Sequence, residues 1–135
     1  MSAPTPAAAR VRLDLRWRDV DMLGHLNQAV YHELLEEGRA ALLAPLGPDA
    51  AFTFVLARVE LDYQREVPRH AGHVDVEVRV TAIGRSSVTV EHDLLLPDGT
   101  VAASGSSVIV GWDPEARRAR ALTGAEREAL GFGPS

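Results

Sequence analysis

The sequence predicts an α+β fold in which one long helix packs against an antiparallel sheet. One stretch of helical periodicity, residues 28–46, stands early in the chain. Four predicted strands follow it, three of them with alternating apolar and polar residues. Because the helix precedes these strands, the sheet must curl around it to bury its apolar stripe. We therefore expect a single domain over residues 11–135, preceded by a disordered arm of Pro, Ala and Ser over residues 1–10.

The first elements are a strand, a polar loop and the helix. Residues 11–17 alternate apolar and charged side chains, which is typical of a half-buried strand. A loop over residues 19–26 leads to Asn27, a residue type favoured as a helix N-cap because its side chain can accept from a first-turn amide. We expect the helix to run from residue 28 to residue 46, where Pro45 and the following Gly-Pro end it.

The rest of the chain is predicted to be mostly strand. Residues 97–99, Pro-Asp-Gly, predict a turn, and Thr123 with Glu126 predicts the capping box of a short C-terminal helix. His92 falls on the apolar side of its strand and is expected to be a hydrogen-bonded core residue. Three strands with period-two alternation are predicted at residues 55–64, 74–80 and 88–94. A long fourth strand, rich in small residues in its middle, is predicted at residues 100–112.

Composition excludes several kinds of chemistry. The 135 residues include no cysteine, which removes disulfides, thiolate metal sites and a cysteine nucleophile. All fourteen basic residues are arginine, so Schiff-base chemistry is absent as well. The net charge of −5 argues against a nucleic-acid partner, and no apolar run is long enough for a membrane span. The N-terminal residues do not form a charged leader followed by an apolar run, so we expect a cytoplasmic protein. Since no motif with metal-ligand or cofactor-binding spacing is found, we also expect no metal and no cofactor.

The loop before the helix holds the richest set of polar side chains. Asp19, Asp21 and His25 lie directly before the helix N-terminus, where unpaired amides and the helix dipole favour negative charge. A carbonyl oxygen against the Gln28 amide would be polarised there, and a carboxylate could attack it or activate a water. An equally weighted alternative is that the aspartates cap turns, Asn27 caps the helix and His25 only packs.

A resemblance to a known family separates these two interpretations. The segment from Trp17 to Tyr31 resembles the signature Asp-x-Asp-x-x-Gly-His-x-Asn-Asn-x-x-x-Tyr, with slightly altered spacing and with Gln28 in place of the second Asn. Glu36-Glu37-Gly38-Arg39 is similar to a Glu-Glu-Ala-Arg segment of the same family. These are motifs of hotdog-fold acyl-CoA thioesterases of the 4-hydroxybenzoyl-CoA thioesterase-like family, and the resemblance extends over residues 11–130.

The resemblance implies roles for the loop residues. Asp21 would be the general base or nucleophile on the thioester, and the Gln28 amide would polarise its carbonyl. The side chain of Asn27 or Gln28 would hold a water molecule. His25 would either orient Asp21 or give a proton to the departing thiolate.

The resemblance also implies how substrate is bound. Tyr31 and its neighbours would line the acyl pocket, and Arg85, Ser86 and Ser87 would approach the phosphates or pantetheine of CoA. The alternative for these three residues is that residues 83–87 only connect two strands. Arg58 is a weaker candidate for a CoA contact, because an arginine on a polar strand face is ordinarily solvated. The family's subunits pair so that their sheets continue across a two-fold axis and the active site forms at the seam. We therefore expect a homodimer or homotetramer.

Three alternative functions exist for a chain of this kind. The substrate could be an acyl-carrier-protein thioester rather than an acyl-CoA. A hotdog-fold hydratase would place its Asp and His five apart with Asn-Pro between them, whereas Asp21 and His25 are four apart without a proline. A non-catalytic acyl-CoA-binding protein is the third possibility, and the intact loop motif argues against it.

Overall fold

The computed structural model describes residues 5–133, apart from the side chain of residue 51. Over that range one long helix lies against a curled antiparallel sheet, which confirms the predicted α+β hotdog fold. The elements, in chain order, are β1 (Ala8–Asp14), α1 (Gln28–Leu43), β2 (Phe54–Tyr63), β3 (His73–Ile83), β4 (Ser87–Leu95), β5 (Val101–Asp113), β6 (Arg118–Ala119) and α2 (Gly124–Ala129).

The sheet has the order β1-β3-β4-β5-β2, with the short β6 paired to β5. All strand pairs are antiparallel, and β1 and β2 form the two edges. The alternation of β3 and β4 follows directly from their sequences. Valines of both strands face α1, and charged residues occupy the opposite face.

The apolar stripe of α1 is buried in the concave side of the sheet. Leu34, Leu35 and Leu42 are all buried, as the helical spacing predicted. The closest approach is at Gly38, where a Cβ atom would lie 2.6 Å from a methyl carbon of Val76 and 3.1 Å from one of Val78. A residue without a side chain therefore lets the helix axis come close to β3.

The structure corrects the boundary of the N-terminal arm. Residues 8–10, assigned to a disordered arm, form the first part of β1 and pair with residues 77–79 of β3. Ala7 is also held, because its amide donates to the Leu130 carbonyl at 3.0 Å. The pairing that orders this segment is long-range, which local composition does not reveal. Residues 1–4 of the predicted arm lie outside the described range.

Two other boundaries differ for local reasons. β1 ends at Asp14 rather than residue 17, because Trp17 begins a 3₁₀ turn whose capping box links Arg16 and Asp19. α1 ends at Leu43, and residues 44–46 form a 3₁₀ turn. Pro45 has no N–H to continue the helical ladder, so the last predicted turn changes its hydrogen bonding.

His92 is buried in the core, as expected, but it is not hydrogen-bonded. Its side chain on β4 is 1% exposed. Within the described part of the chain neither ring nitrogen has a hydrogen-bond partner. The predicted core position is therefore confirmed. The ring forms no hydrogen bond of ordinary geometry within residues 5–133, and its polar neighbour is the Ser106 backbone, which raises the pKa of His92 against the effect of burial.

The strand register gives the sheet two distinct ends. At one, named here the Tyr63 end, Tyr63 of β2 lies level with Ala103 of β5 and Leu94 of β4. At the other, the Val55 end, Val55 of β2 lies level through β5 with Ser87 of β4. α1 begins at the Tyr63 end, and its 16 residues extend about 24 Å toward the Val55 end.

Candidate active site

The loop between β1 and α1 is built around Asp19. This carboxylate is fully buried and accepts hydrogen bonds from the Arg16 main-chain amide at 2.7 Å and from its Nε at 3.1 Å. Burial alone raises the pKa of Asp19, but the Arg16 bonds outweigh it and leave the pKa lowered. The Asp19 carbonyl accepts from the Asn27 amide at 2.8 Å, which ties the loop to the start of α1. Asp19 therefore shapes the loop and does not face a ligand.

Asp21 occupies a different environment. Its side chain is 30% exposed, and one carboxylate oxygen accepts from the Leu23 amide at 2.9 Å. The main chain turns at Gly24, whose φ of +85° suits glycine, and the His25 carbonyl accepts from the Asp21 amide at 3.0 Å. His25 Nδ1 lies 3.9 Å from the second Asp21 oxygen, a charge contact too long for a hydrogen bond. Asp21 thus keeps an oxygen available beside an imidazole.

The N-terminus of α1 presents an unused donor. The Asn27 Oδ1 atom accepts from the Ala29 amide at 3.0 Å, which confirms the predicted N-cap. Within residues 5–133 the Gln28 N–H donates to no protein group. First-turn amides carry the positive end of the helix dipole, so this N–H can bind a carbonyl oxygen or an oxyanion. Because the cap occupies the Asn27 Oδ1 atom, the Gln28 side chain is the freer of the two to hold a water.

These groups line one cavity of about 490 Å³ at the Tyr63 end. Its inner wall is Tyr31, whose ring meets that of Tyr63 edge-on at 4.9 Å. Burial raises the pKa of the Tyr31 hydroxyl, and the neighbouring Tyr63 and Glu66 raise it further. The cavity brings together Asp21, His25, Asn27, Gln28 and Tyr31 of the predicted site with Leu23, Leu26, Tyr63, Gln64, Arg65 and Glu66.

The segment from Tyr63 to Glu66 was not predicted to belong to the site. It leaves β2 beside the helix N-terminus, and the amides of Gln64 and Arg65 both donate to the Ala102 carbonyl, at 2.8 and 3.0 Å. The sequence signal was a run of polar residues directly after a strand. Nothing local indicated that this strand end meets a loop so much earlier in the chain.

Arg85, Ser86 and Ser87 lie far from Asp21 in the same chain. Arg85 and Ser86 lie in the turn between β3 and β4, and Ser87 is the first residue of β4. The Arg85 carbonyl accepts from the Leu122 amide and the Ser86 carbonyl from the Gly111 amide, each at 2.8 Å. This turn is at the Val55 end, at the opposite end of α1 from the cavity. One chain therefore does not bring these three residues to the predicted catalytic group.

Arg58 is on the other face of the sheet. Tyr63 faces α1, so Arg58 and Glu60, at odd spacing from it along β2, face away. The two side chains form an ion pair with each other. The structure thus places Arg58 outside the cavity, with an acidic partner of its own, and it does not join the other predicted substrate contacts.

Two features concern metals and membranes. Among residues 5–133 no three His, Asp or Glu side chains converge in a way that would hold a metal ion, and the expectation of no metal and no cofactor stays a prediction. No helix in this range has the length and apolar character needed to cross a bilayer.

Comparison with known proteins places these features in a family. A thioesterase from Thermus thermophilus, complexed with coenzyme A and Zn, is 38% identical over 90% of both chains, with a TM-score of 0.82. A candidate acyl-CoA thioesterase from Xanthomonas campestris is 30% identical, with a TM-score of 0.71 over 84% of this chain and 98% of its own. The Bacillus subtilis protein YsmA, of uncharacterised function, is 26% identical over 88% of this chain and 82% of its own.

A model of the family described as the thioesterase-like superfamily matches residues 15–129, a range that holds every predicted site residue. The match includes the polar loop, the helix cap and the strand ends that form the cavity. The chain therefore belongs to the thioesterase-like superfamily, and it is a thioester hydrolase of the hotdog fold.

Proposed function

We propose that the protein hydrolyses acyl-CoA thioesters to a free carboxylic acid and CoA, at the cavity that contains Asp21 and the Gln28 amide. One observation carries the proposal. A carboxylate with an available oxygen and an unpartnered helix-N-terminal amide line the same cavity within the described residues. The 38% identical structure that holds coenzyme A supports the choice of thiol.

The arrangement accounts for each step of hydrolysis. The thioester oxygen accepts from the Gln28 N–H, which polarises the carbonyl and stabilises the oxyanion that forms. Asp21 either takes the proton from an attacking water or attacks the carbonyl carbon itself, giving an anhydride that water then opens. The C–S bond breaks and CoA leaves as a thiolate. Since thiols have a pKa of about 8.5, the departing sulfur needs no obligatory acid, and His25 serves to position Asp21.

We further propose that the working unit is a cytoplasmic homodimer paired through β2. This strand is a ten-residue sheet edge, with Val55 and Leu56 37% and 46% exposed. Exposed edges of this length are normally covered or paired. If two copies pair antiparallel about a two-fold axis, the sheet continues from one subunit into the other and the β2 edge of each copy is covered.

Such pairing would bring Arg85 of one subunit close to Asp21 of the other, although the two residues are far apart within one chain. An antiparallel partner sets its Val55 end beside the Tyr63 end of the first subunit. Ser87 is level with Val55 through β5, so the partner's Arg85–Ser87 turn would stand at the same end as Asp21. Arg85 would then contact a CoA phosphate across the subunit boundary, as a guanidinium does well.

The first test is thiol release from a panel of acyl-CoAs and one acyl-carrier-protein thioester. We expect Asp21→Asn to lower kcat by about 10²–10⁴-fold, in the range of general acid–base catalysis. Asp98→Asn, in the turn before β5, is the matched control and should keep full activity. Hydrolysis by Asp21→Asn at the wild-type rate would remove Asp21 from the mechanism. If only the carrier-protein thioester were cleaved, the leaving thiol would be that of the carrier protein and not CoA.

The second test asks whether one site uses two subunits. Asp21→Asn and Arg85→Ala homodimers should each be impaired, and mixing them with subunit exchange should restore activity. One site of each mixed dimer would then hold both wild-type residues, giving about a quarter of wild-type activity in an equal mixture. No recovery after exchange, checked by mass spectrometry of the mixed dimer, would place Arg85 outside the partner's site.

A further inference from the structure

Arg39, on α1, is a buried cation without an anion. The residue is 8% exposed, and its Nη1 donates to the Ser107 hydroxyl on β5 at 3.3 Å. Among the described residues none of the ion pairs formed at 4.0 Å or less involves Arg39. Burial lowers the pKa of Arg39, with Glu36 opposing this shift from one turn earlier. A buried charge that lacks a partner is costly, so the site is set up to accept an anion.

His92 adds to the same cluster and does not supply that anion. It faces α1 from β4, fully buried, and both ring nitrogens lack a hydrogen-bond partner among residues 5–133. Burial lowers its pKa, and the nearby Arg39 lowers it further, so the imidazole is neutral at neutral pH. The space between helix and sheet therefore holds polar groups whose hydrogen-bonding capacity the described part of the chain leaves unfilled.

A cavity opens beside Arg39 at the Val55 end. Its volume is about 230 Å³, enough for a carboxylate and several carbon atoms, since one water occupies ~30 Å³ of liquid. Glu36 lines it too, as an exposed side chain. The remaining lining residues are apolar: Ala40, Leu43, Phe54, Val55, Leu56 and Ile109.

We propose that this Arg39 pocket binds a carboxylate carried on a short apolar body. The guanidinium offers the paired donors that match a carboxylate, and the surrounding side chains offer apolar area to the attached carbons. Glu36 is a like charge to such a ligand and limits its affinity. Two molecules could supply this carboxylate: the free acid released by hydrolysis, or a substrate whose acyl group carries a carboxylate at its far end.

The second source rests on the proposed function. In the β2-paired dimer the Val55 end of one subunit stands beside the Tyr63 end of the other. An acyl group held by the Gln28 amide of one subunit would then extend toward the partner's Arg39 pocket. Carboxylate binding itself needs neither the dimer nor hydrolysis, so the two proposals can fail separately.

Calorimetric titration of the full chain with benzoate and hexanoate tests the binding, and benzyl alcohol serves as the neutral comparison. We expect Arg39→Met to weaken benzoate binding at least about tenfold, as loss of a charge-assisted contact does. Glu36→Gln should strengthen it by removing the like charge. Arg79→Met, an exposed arginine on the outer face of β3, is the matched control and should bind as wild type.

The outcomes decide the proposal. No binding at about 10 mM benzoate, or equal binding of benzoate by Arg39→Met and wild type, would overturn it. If Arg39→Met does not fold, Ala40→Leu adds volume to the pocket while leaving Arg39 unchanged, and it should abolish binding. Glu36→Gln should still strengthen binding. Unchanged binding in both of these variants would equally overturn the proposal.

Kinetics then separates the two sources. Inhibition of hydrolysis by benzoate that disappears in Arg39→Met identifies the released acid as the ligand. A preference for glutaryl-CoA over valeryl-CoA in kcat/KM that depends on Arg39 identifies the distal carboxylate. Activity that is absent on every thioester, with Arg39-dependent benzoate binding retained, would refute the proposed function and leave the pocket intact.

Discussion

Two aspartates stand two residues apart in the loop before α1, and their surroundings give them different tasks. Asp19 is buried and saturated by Arg16, so its charge holds the loop in place. Asp21 is partly exposed and lines the cavity. Chemistry requires a carboxylate that solvent and substrate can reach, and only Asp21 of the two meets that condition. The two aspartates therefore differ in function because the carboxylate of Asp19 is buried and hydrogen-bonded to Arg16, whereas the carboxylate of Asp21 can be reached by solvent and substrate.

A buried histidine makes stability depend on pH. The folded-state pKa of His92 lies below its usual value of 6.5, from burial first and from Arg39 second. When the pH falls below the ordinary value of 6.5, the imidazole is protonated in the unfolded chain but stays neutral in the folded chain. The free energy of unfolding therefore falls as the pH decreases. We expect wild type to lose stability between about pH 7 and pH 5, and His92→Leu to lose less over the same window.

Urea unfolding at several pH values measures this effect. The exposed His32→Gln on α1 is the control and should retain the wild-type pH dependence. Equal pH dependence in His92→Leu and wild type would show that His92 does not couple folding to protonation.

At the scale of elements, the contact between α1 and the sheet depends on one missing side chain. Gly38 costs helix propensity, roughly 1 kcal/mol relative to Ala. A Cβ atom there would meet the Val76 methyl at 2.6 Å, which overpacks the interface and typically costs about 1–3 kcal/mol. The steric effect opposes the propensity gain and exceeds it over most of this range.

We therefore expect Gly38→Ala to lower Tm, measured by calorimetry. Val76→Ala removes the closer of the two methyl contacts that a Cβ atom at position 38 would make, so the double variant should be less unstable than the two single changes added together. A Tm for Gly38→Ala at or above wild type would mean that the helix can shift away from β3 at little cost.

At the scale of the whole molecule, the edge strand β2 links structure to function. It ends at the cavity with Tyr63 and begins at the Arg39 pocket with Phe54. Two-fold pairing of this edge would bring these two sites from different subunits to one place. Function would then depend on assembly as well as on the fold of one chain.

We expect Ala57→Glu to weaken the dimer, because it places a charge at an exposed position of this edge, in the bulge between Leu56 and Arg58, that does not line the Arg39 pocket. Light scattering after size-exclusion chromatography should show dimer for wild type and a shift toward monomer for the variant. Activity should fall with the dimer fraction and recover at higher protein concentration. A wild-type monomer with full activity would contradict a site shared between subunits.

Local patterns in the sequence were enough to predict the elements and part of the site. Asn27 caps α1 and the Thr123–Glu126 pair caps α2, as predicted, because a cap involves neighbours within one turn. Alternation located three of the strands after the helix, and the Pro-Asp-Gly turn located the start of the fourth, because both signals involve neighbouring residues. The loop holding Asp21 and His25 was found because its residues are contiguous.

The remaining features depend on pairing between distant segments. Residues 8–10 became strand through β3, and the segment from Tyr63 to Glu66 reached the cavity through β5 and the helix N-terminus. The register then set Arg85 at the far end of the sheet from Asp21. No local pattern encodes which strand ends lie level with one another.

The sequence by itself determined the fold class, the polar loop with Asp21 and the capped helix, since each follows from short-range periodicity, turn chemistry or a contiguous motif. Only the tertiary structure decided which aspartate is accessible, which strand end completes the cavity, and that Arg39 is buried without an anion among the described residues. These properties arise from long-range packing, because burial and separation across a sheet exist only once register and helix position are established.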